Sequence, residues 1–175
     1  MDTQVSSPIV RPVDLTGPDA KSVSRLVQAY LIQTEREKAT YLDDTSKDAD
    51  LPERYRQEVE HPARAYEGAT VYVAELGNSP VGVVIVQQTA EAREIKRVWV
   101  DPSARGHRVG SALIDAALNQ LDLPIRLTVW DWRDEAIRLY VKRGFLPVPS
   151  WEDRPRLLCM EKRPVAPLRT PFDGS

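Results

Sequence analysis

The sequence contains one cysteine, Cys159, two histidines, His61 and His107, and no apolar run approaching the roughly 20 residues needed to cross a bilayer. A lone cysteine cannot close an internal disulfide, so a reducing, cytoplasmic setting is expected. No histidine motif surrounds Cys159, which reads as a small buried hydrophobe rather than a nucleophile. The two histidines lack metal-ligand spacing, and no metal is expected. An excess of one charge is missing too: 24 Lys and Arg stand against 26 Asp and Glu, a formal net charge of -2. No global field would draw this chain to nucleic acid or to an anionic membrane. Its first ten residues have neither the basic stretch nor the apolar run of a signal peptide.

What is present suits one globular domain: 175 residues, 42% hydrophobic and 29% charged. There is no internal repeat. Pro164 to Ser175 is proline-rich and polar, which predicts a domain over residues 1–163 and a tail over 164–175, laid on the surface or left mobile.

The pattern predicts a first strand from Pro8 to Val13 and a helix starting near Thr16, Pro18 and Asp19, with Val23, Leu26, Val27, Tyr30 and Leu31 as its apolar stripe. A polar, acidic stretch from Glu35 to Asp50 follows. Asp50-Leu-Pro-Glu53 reads as a capping box for a second helix that carries Tyr55 and Val59 inward and ends before Pro62. Thr70–Leu76 and Val81–Gln88 read as strands joined by the hairpin residues Gly77-Asn78-Ser79-Pro80. Glu94–Val100 is the next strand, and Val109 to Ala117 a helix with one apolar face. Ile125–Trp130 is again a strand, and Ala136 to Val141 a helix stopped by Gly144. Phe145–Val148 and Arg156–Glu161 complete the set. Consecutive strands with short turns should pair antiparallel, and the passage from Glu94 to Trp130 should be a parallel crossover. The fold class expected is α/β (α+β): a single domain with a mixed, mostly antiparallel seven-stranded sheet flanked by helices.

The most informative stretch runs from Arg97 to Leu113: a strand, a proline turn, a short basic glycine loop and a helix start. Free N–H groups at a helix N-terminus bind anions. Gly106 and Gly110 allow a close approach, and Arg105 and Arg108 add positive charge. This reads as a phosphate or diphosphate cradle, the alternative being an ordinary turn. Neither a P-loop nor the dinucleotide fingerprint is present.

This segment resembles the coenzyme A loop of the GNAT superfamily of N-acetyltransferases, Arg/Gln-x-x-Gly-x-Gly/Ala after a strand ending Val-x-Pro. Arg105, Val109, Gly110 and Val100-Asp101-Pro102 carry the match. Leu127 to Ala136, followed by Leu139-Tyr140-Val-Lys-Arg-Gly144-Phe145, resembles the second family signature, L-x-V…N-x-x-A…L-Y-x-x-x-G-F. Arg108 stands where the central glycine is usual. A helix-start conformation does not demand glycine, so its N–H is expected to serve and its guanidinium to help hold a phosphate. Arg133 stands where the family has an Asn that contacts the pantetheine arm.

The resemblance implies an acyl-CoA-dependent N-acyltransferase that uses acetyl-CoA as co-substrate and a small-molecule amine as acceptor. Backbone groups of the strand segment Val98, Trp99 and Val100 would hold the pantetheine arm beside the Ile125–Trp130 strand. The loop Arg105, Gly106, His107, Arg108, Val109, Gly110 and Ser111 would hold the diphosphate, with Arg133 nearby. Tyr140 would be the general acid for the departing thiolate, and Glu94 would take the amine proton directly or through water. Tyr140 also fits as plain packing, and Glu94 as an exposed strand end. Tyr41, Asp43, Asp44, Asp48, Trp151, Glu152 and Asp153 would wall an acceptor site that mixes acidic and aromatic groups, a combination suited to a cationic amine. Trp130 and Trp132 fit core or pocket. A protein or peptide N-acetyltransferase and a non-catalytic CoA-binding sensor remain alternatives, and an edge-strand homodimer is compatible with the pattern.

Overall fold

The computed structural model describes residues 6–43, 51–119 and 122–164. Most of the expected tail, along with Asp44, Asp48 and Asp50, lies outside them. The element order is β1 (Ile9–Val13), α1 (Ala20–Tyr41), α2 (Glu53–Glu60), the short α3 (Pro62–Ala65), β2 (Thr70–Leu76), β3 (Ser79–Gln88), β4 (Arg93–Val100), α4 (Val109–Ala117), β5 (Ile125–Trp130), α5 (Asp134–Lys142), β6 (Leu146–Val148) and β7 (Leu157–Lys162). The strands form one seven-stranded sheet in the order β1-β2-β3-β4-β5-β7-β6. Every neighbouring pair is antiparallel except β4 and β5, which are parallel across the α4 crossover. The expected fold class is the one observed.

The sheet is buried on both faces, and β3 shows why. Its side chains alternate, Val84 and Val86 joining the core beneath α4 and α5, Val83 and Ile85 joining the core beneath α1. Such a strand reads as a continuous apolar run rather than an alternating one. The first core contains Leu113, Ile114, Leu127, Tyr140 and Phe145; the second contains Val23, Leu26, Val27, Leu31 and Trp99.

Helix α1 runs well past the expected boundary at Glu35. Its helical period continues at Leu31, Thr34, Lys38 and Tyr41, and both Thr34 and Lys38 are buried. Polar occupants of those positions concealed the stripe. Asp19 sits at the N-cap but does not cap; its carboxylate accepts two hydrogen bonds from Arg11 instead, at 3.0 and 2.8 Å. Pro52 is the N-cap of α2 and makes no side-chain cap bond. The chain breaks at Pro62 as anticipated, with Pro62 opening α3. Gly144, at φ +91°, ends α5 and turns Phe145 into the core, where it is fully buried.

One glycine sets where α4 starts. A Cβ on Gly82 of β3 would lie 2.9 Å from Val109 Cγ1, 3.0 Å from Leu113 Cδ1 and 3.1 Å from the Trp99 carbonyl oxygen. The first turn of α4 therefore rests directly on β3 backbone. Gly82→Ala should lower unfolding free energy by about 1–3 kcal/mol through overpacking. Chemical denaturation should show a lower midpoint with an unchanged slope.

Candidate functional site

Strand β4 carries a bulge. Its pairing with β3 shifts between Val83 and Ile85, and Arg97 lies in the left-handed region at φ +56°. The side chains show the extra residue. Ile95 faces the α4 core, and Val98 and Val100 pack against it; Arg97 and Trp99 face the α1–α2 side. Arg97 is held in place by Glu58 of α2, with Nε to Oε1 at 2.8 Å and Nη2 to Oε2 at 2.9 Å. The Tyr66 hydroxyl donates to the same carboxylate at 2.6 Å.

The bulge marks the place where β4 leaves β5. Parallel pairing covers Arg93, Glu94 and Ile95 against Ile125, Arg126 and Leu127 and then stops, while β4 stays on β3 as far as Val100. Asp101 N–H donates to Val81 O on β3 at 2.8 Å. Alternation along the strand therefore turns the N–H and C=O groups of Val98 and Val100 the other way, into the gap. Across it, Thr128, Val129 and Trp130 pair with β7 and leave their other edge open. The gap is part of a cleft of about 1180 Å³, larger than the roughly 300–1,000 Å³ of ordinary small-ligand pockets.

At one end of the cleft lies the loop into α4. The N–H groups from Gly106 through Ser111 have no hydrogen-bond acceptor among the described residues. The first helical bond is made by Ala112 N–H to Arg108 O at 3.1 Å, and α4 has no side-chain cap. Six consecutive donors at a helix N-terminus form an anion site of the kind a diphosphate fits. Arg108, at the N-cap, has φ +63° and ψ +22°. That corrects the expectation of a helix-start conformation: the position is left-handed, which is why glycine suits it, and a non-glycine residue there costs about 1–2 kcal/mol.

Trp99 and His107 are placed differently from the loop and strand residues beside them. Trp99 pairs with Val83 of β3, and its side chain is core, with Nε1 donating to Asp101 Oδ1 at 3.0 Å. Its backbone is paired with β3, although the residue also borders the cleft. His107 is exposed and does not line the cleft, so it offers only its N–H. Arg105 lines the cleft but folds back on β4, its guanidinium 5.2 Å from the Trp99 ring and its Nε donating to Val100 O at 3.3 Å.

Tyr140, from α5, lines the middle of the cleft and is 6% exposed, edge-on to Phe145. Burial pushes its phenol above the usual range, Tyr30 adds to that, and Arg133 works in the opposite direction. Its hydroxyl makes no hydrogen bond among the described residues. Glu94 lines the cleft at the start of β4, with Lys96 Nζ 3.8 Å from Oε1. Arg133 turns toward α1: Nε donates to Glu37 at 3.1 Å and Nη2 to Thr34 Oγ1 at 2.8 Å.

Beside the described part of the expected acceptor wall runs a ladder of rings and cations. Tyr41 stacks on Trp132 and Trp132 on Trp130, each with centroids 4.8 Å apart. Lys38 Nζ lies 5.7 Å from the Trp130 ring and 5.9 Å from Tyr55. Arg97 follows at 5.6 Å from both Tyr55 and Tyr30, and Arg133 at 5.3 Å from Tyr30. The rings thus already face cations of the protein itself, and Glu35, Glu58 and Glu37 neutralise Lys38, Arg97 and Arg133. Tyr41 and Glu152 line the cleft as expected; Asp43, Trp151 and Asp153 are exposed and do not. Sequence reading assigned no role to Lys38, Glu37, Glu58 or Arg97 in this wall, and placed Tyr30 only in the core. Their partners are far apart along the chain, and the one available signal was the unbroken helical period of α1. Among the described residues no group of three or more His, Cys, Asp and Glu could hold a metal ion, and no helix is long and apolar enough to cross a membrane.

Residues 67–147 match the family model of the acetyltransferase (GNAT) domain. No curated protein matches the sequence. Among solved structures, a protein described as histone acetyltransferase HPA2 and related acetyltransferase, from Corynebacterium glutamicum, superposes with TM-score 0.67 at 23% identity, covering 93% of this chain and 99% of that one. The PaiA N-acetyltransferase of Thermoplasma acidophilum, solved with coenzyme A, gives 0.66 at 17% identity over 90% and 99%. A GCN5-related N-acetyltransferase from Rhodopseudomonas palustris gives 0.60 at 21% over 93% and 99%. Likeness at such identities carries the fold, and the domain match covers residues 67–147. A sheet parted beside a helix-start anion cradle accompanies that match: residues 67–147 resemble the acetyltransferase (GNAT) domain, and the fold is the one these acetyltransferases share.

Proposed function

We propose that this protein transfers an acetyl group from acetyl-CoA to a primary amine of a small molecule, by direct attack within a ternary complex. The observation that carries this reading is the continuity of the cleft. The unpaired N–H groups of Gly106–Ser111, the gap-facing backbone of Val98 and Val100, and the Tyr140 phenol all line or border one space. That spacing suits a ligand with a diphosphate at one end and a thioester at the other.

In this reading the loop N–H groups and the Arg108 guanidinium hold the diphosphate. A Val98 or Val100 N–H polarises the thioester oxygen. The amine nitrogen attacks the carbonyl carbon, the C–N bond forms and the C–S bond breaks. Tyr140 gives its proton to the sulfur, and Glu94, directly or through water, removes the proton that the amine loses. Cys159 plays no part; it is 2% exposed in the core on β7.

Incubation of the purified protein with acetyl-CoA and a library of small amines, read as thiol release and acetylated product, tests the reading. Turnover on a free small amine is expected. Turnover only on peptides would make it a peptide acetyltransferase, and tight CoA binding with no turnover on either would make it a binding module.

Tyr140→Phe should lower kcat by roughly 10²–10⁴-fold while leaving acetyl-CoA affinity nearly unchanged. Unchanged turnover would reduce Tyr140 to packing. At Gly110 an added Cβ meets nothing closer than Leu139 Cδ2 at 3.6 Å, so the fold itself tolerates a side chain there. Gly110→Glu should therefore keep the thermal midpoint and lose CoA binding in a calorimetric titration, because its carboxylate repels the diphosphate.

A further inference from the structure

Within β4 the left-handed residue is Arg97, at φ +56°. Val83 pairs with Trp99 and Ile85 with Lys96, so Arg97 and Val98 together stand opposite Val84. A bulge whose first residue is left-handed normally takes glycine there. The arginine in its place is gripped from α2. Glu58 accepts from Arg97 Nε at 2.8 Å and from Nη2 at 2.9 Å, and the Tyr66 hydroxyl donates to Glu58 Oε1 at 2.6 Å. The Tyr30 and Tyr55 rings each lie 5.6 Å from the guanidinium. Helix α2 is itself tied down, because Ser24 Oγ of α1 donates to Val59 O at 2.7 Å. The Arg97 side chain is 22% exposed and that of Glu58 14%, so water and salt screen the pair little.

The extra residue cannot leave the strand. Ladder pairs on both sides of it fix the count, and the Asp101 N–H bond to Val81 O holds the far end. What stays open is the conformation of the bulge. Each peptide unit is a rigid plane, so the backbone torsions on either side of the Arg97–Val98 unit decide where the Val98 N–H points. Relaxing Arg97 out of the left-handed region would swing that N–H away from the gap. The donors of Gly106–Ser111 lie beyond the Asp101 anchor and would keep their places. Neither Glu58 nor Tyr66 lines the cleft, whereas Arg97 and Val98 do, so any effect of the carboxylate on a ligand passes through Arg97.

We propose that Glu58 is a positioning residue for the coenzyme arm: through its two bonds to Arg97 it holds a non-glycine residue in the bulge conformation that presents the Val98 N–H to the gap. The inference rests on the reading that the pantetheine arm lies between β4 and β5. It makes two demands. Loss of Glu58 should weaken the hold on the arm and spare the hold on the diphosphate. Glycine at the bulge should make Glu58 dispensable, since glycine takes a positive φ without support and leaves no guanidinium in need of a partner.

Calorimetric titration of the purified protein with two probes tests both demands. The probes are acetyl-CoA and 3′-phospho-ADP, which is the coenzyme without its arm. Wild type, Glu58→Ala and the double variant Glu58→Ala/Arg97→Gly are compared below their thermal midpoints. Glu58→Ala is expected to bind acetyl-CoA about 5- to 50-fold more weakly, the loss of one or two backbone hydrogen bonds. Its affinity for 3′-phospho-ADP stays within about twofold, a change too small to count as a lost hydrogen bond. Adding Arg97→Gly restores most of the acetyl-CoA affinity. Unchanged acetyl-CoA binding in Glu58→Ala overturns the role, and so does an equal loss for both probes, which would mark general loosening. Failure of Arg97→Gly to restore binding overturns it too, since a plain packing contact is not regained by deleting a second side chain. If Glu58→Ala does not fold, Glu58→Gln, which keeps a neutral partner for Arg97, takes its place. A smaller but still arm-selective loss then supports the role, and unchanged binding overturns it. A wild type that holds acetyl-CoA no more tightly than 3′-phospho-ADP would instead remove the arm from the gap, and the coenzyme reading would fall along with this one.

Discussion

Beyond Ile95 the fourth strand keeps one neighbour and gives up the other, and the cleft exists because of that choice. The cause is local. An extra residue at Arg97 turns that side chain to the α1–α2 face, and pairing with β5 ends at Ile95. A left-handed arginine costs about 1–2 kcal/mol relative to relaxed backbone. The two-pronged bond to Glu58, itself braced by Tyr66, offsets that cost and ties the bulge to α2. Backbone donors that a regular parallel pair would consume are thereby left facing open space. In most buried sheets an unmet N–H is a fault; in the proposed reaction it would be a place for the co-substrate.

A second strained arginine closes the same segment. Arg97 and Arg108 both have positive φ, and between them lie the gap-facing residues and the turn. The turn is held from outside the cleft: Asp101 accepts from Trp99 Nε1 at 3.0 Å and from Arg25 of α1 at 3.1 Å. The helix that follows is seated on Gly82. The cradle and the gap are consequently parts of one rigid frame, each fixed to β3. Their relative position does not depend on a flexible loop, which is what holding a long ligand at both ends requires.

Elements whose apolar residues follow a single period were legible in the sequence. The expected limits of β2 and β5 match the structure, and the α4 face and the Gly144 stop were found as well. The glycine loop was legible because its chemistry lies in consecutive residues. Three features were not. The bulge at Arg97 leaves no mark in a strand that reads as mixed polar and apolar. The left-handed state of Arg108 runs against residue preference, and only the glycine usual at that place hinted at it. The second half of α1 uses the polar residues Thr34 and Lys38 at buried positions, so a hydrophobicity pattern ends about two turns early. Thr34 accepts from Arg133 at the start of α5, a partner that no local window contains, and Lys38 pairs with Glu35 one turn away, near the rings of Tyr55 and Trp130.

The ladder of rings and cations bears on how an acceptor is chosen. A pocket of loose acidic groups would attract any cation over a distance set by screening. The wall observed here cannot act that way, because Lys38, Arg97 and Arg133 each have a carboxylate at contact distance and the opposite charges cancel beyond a few ångströms. Its rings also lie against cations of the protein, so among the described residues an ammonium finds its aromatic faces already engaged. Attack on a thioester requires the uncharged amine. A wall that gives the ammonium form no advantage would leave discrimination, in the proposed reaction, to shape and to polar groups such as Glu94, whose close cation among the described residues is Lys96 at 3.8 Å. In such a site the carboxylate nearest the parted strands would be the point at which an incoming amine is both recognised and stripped of its proton.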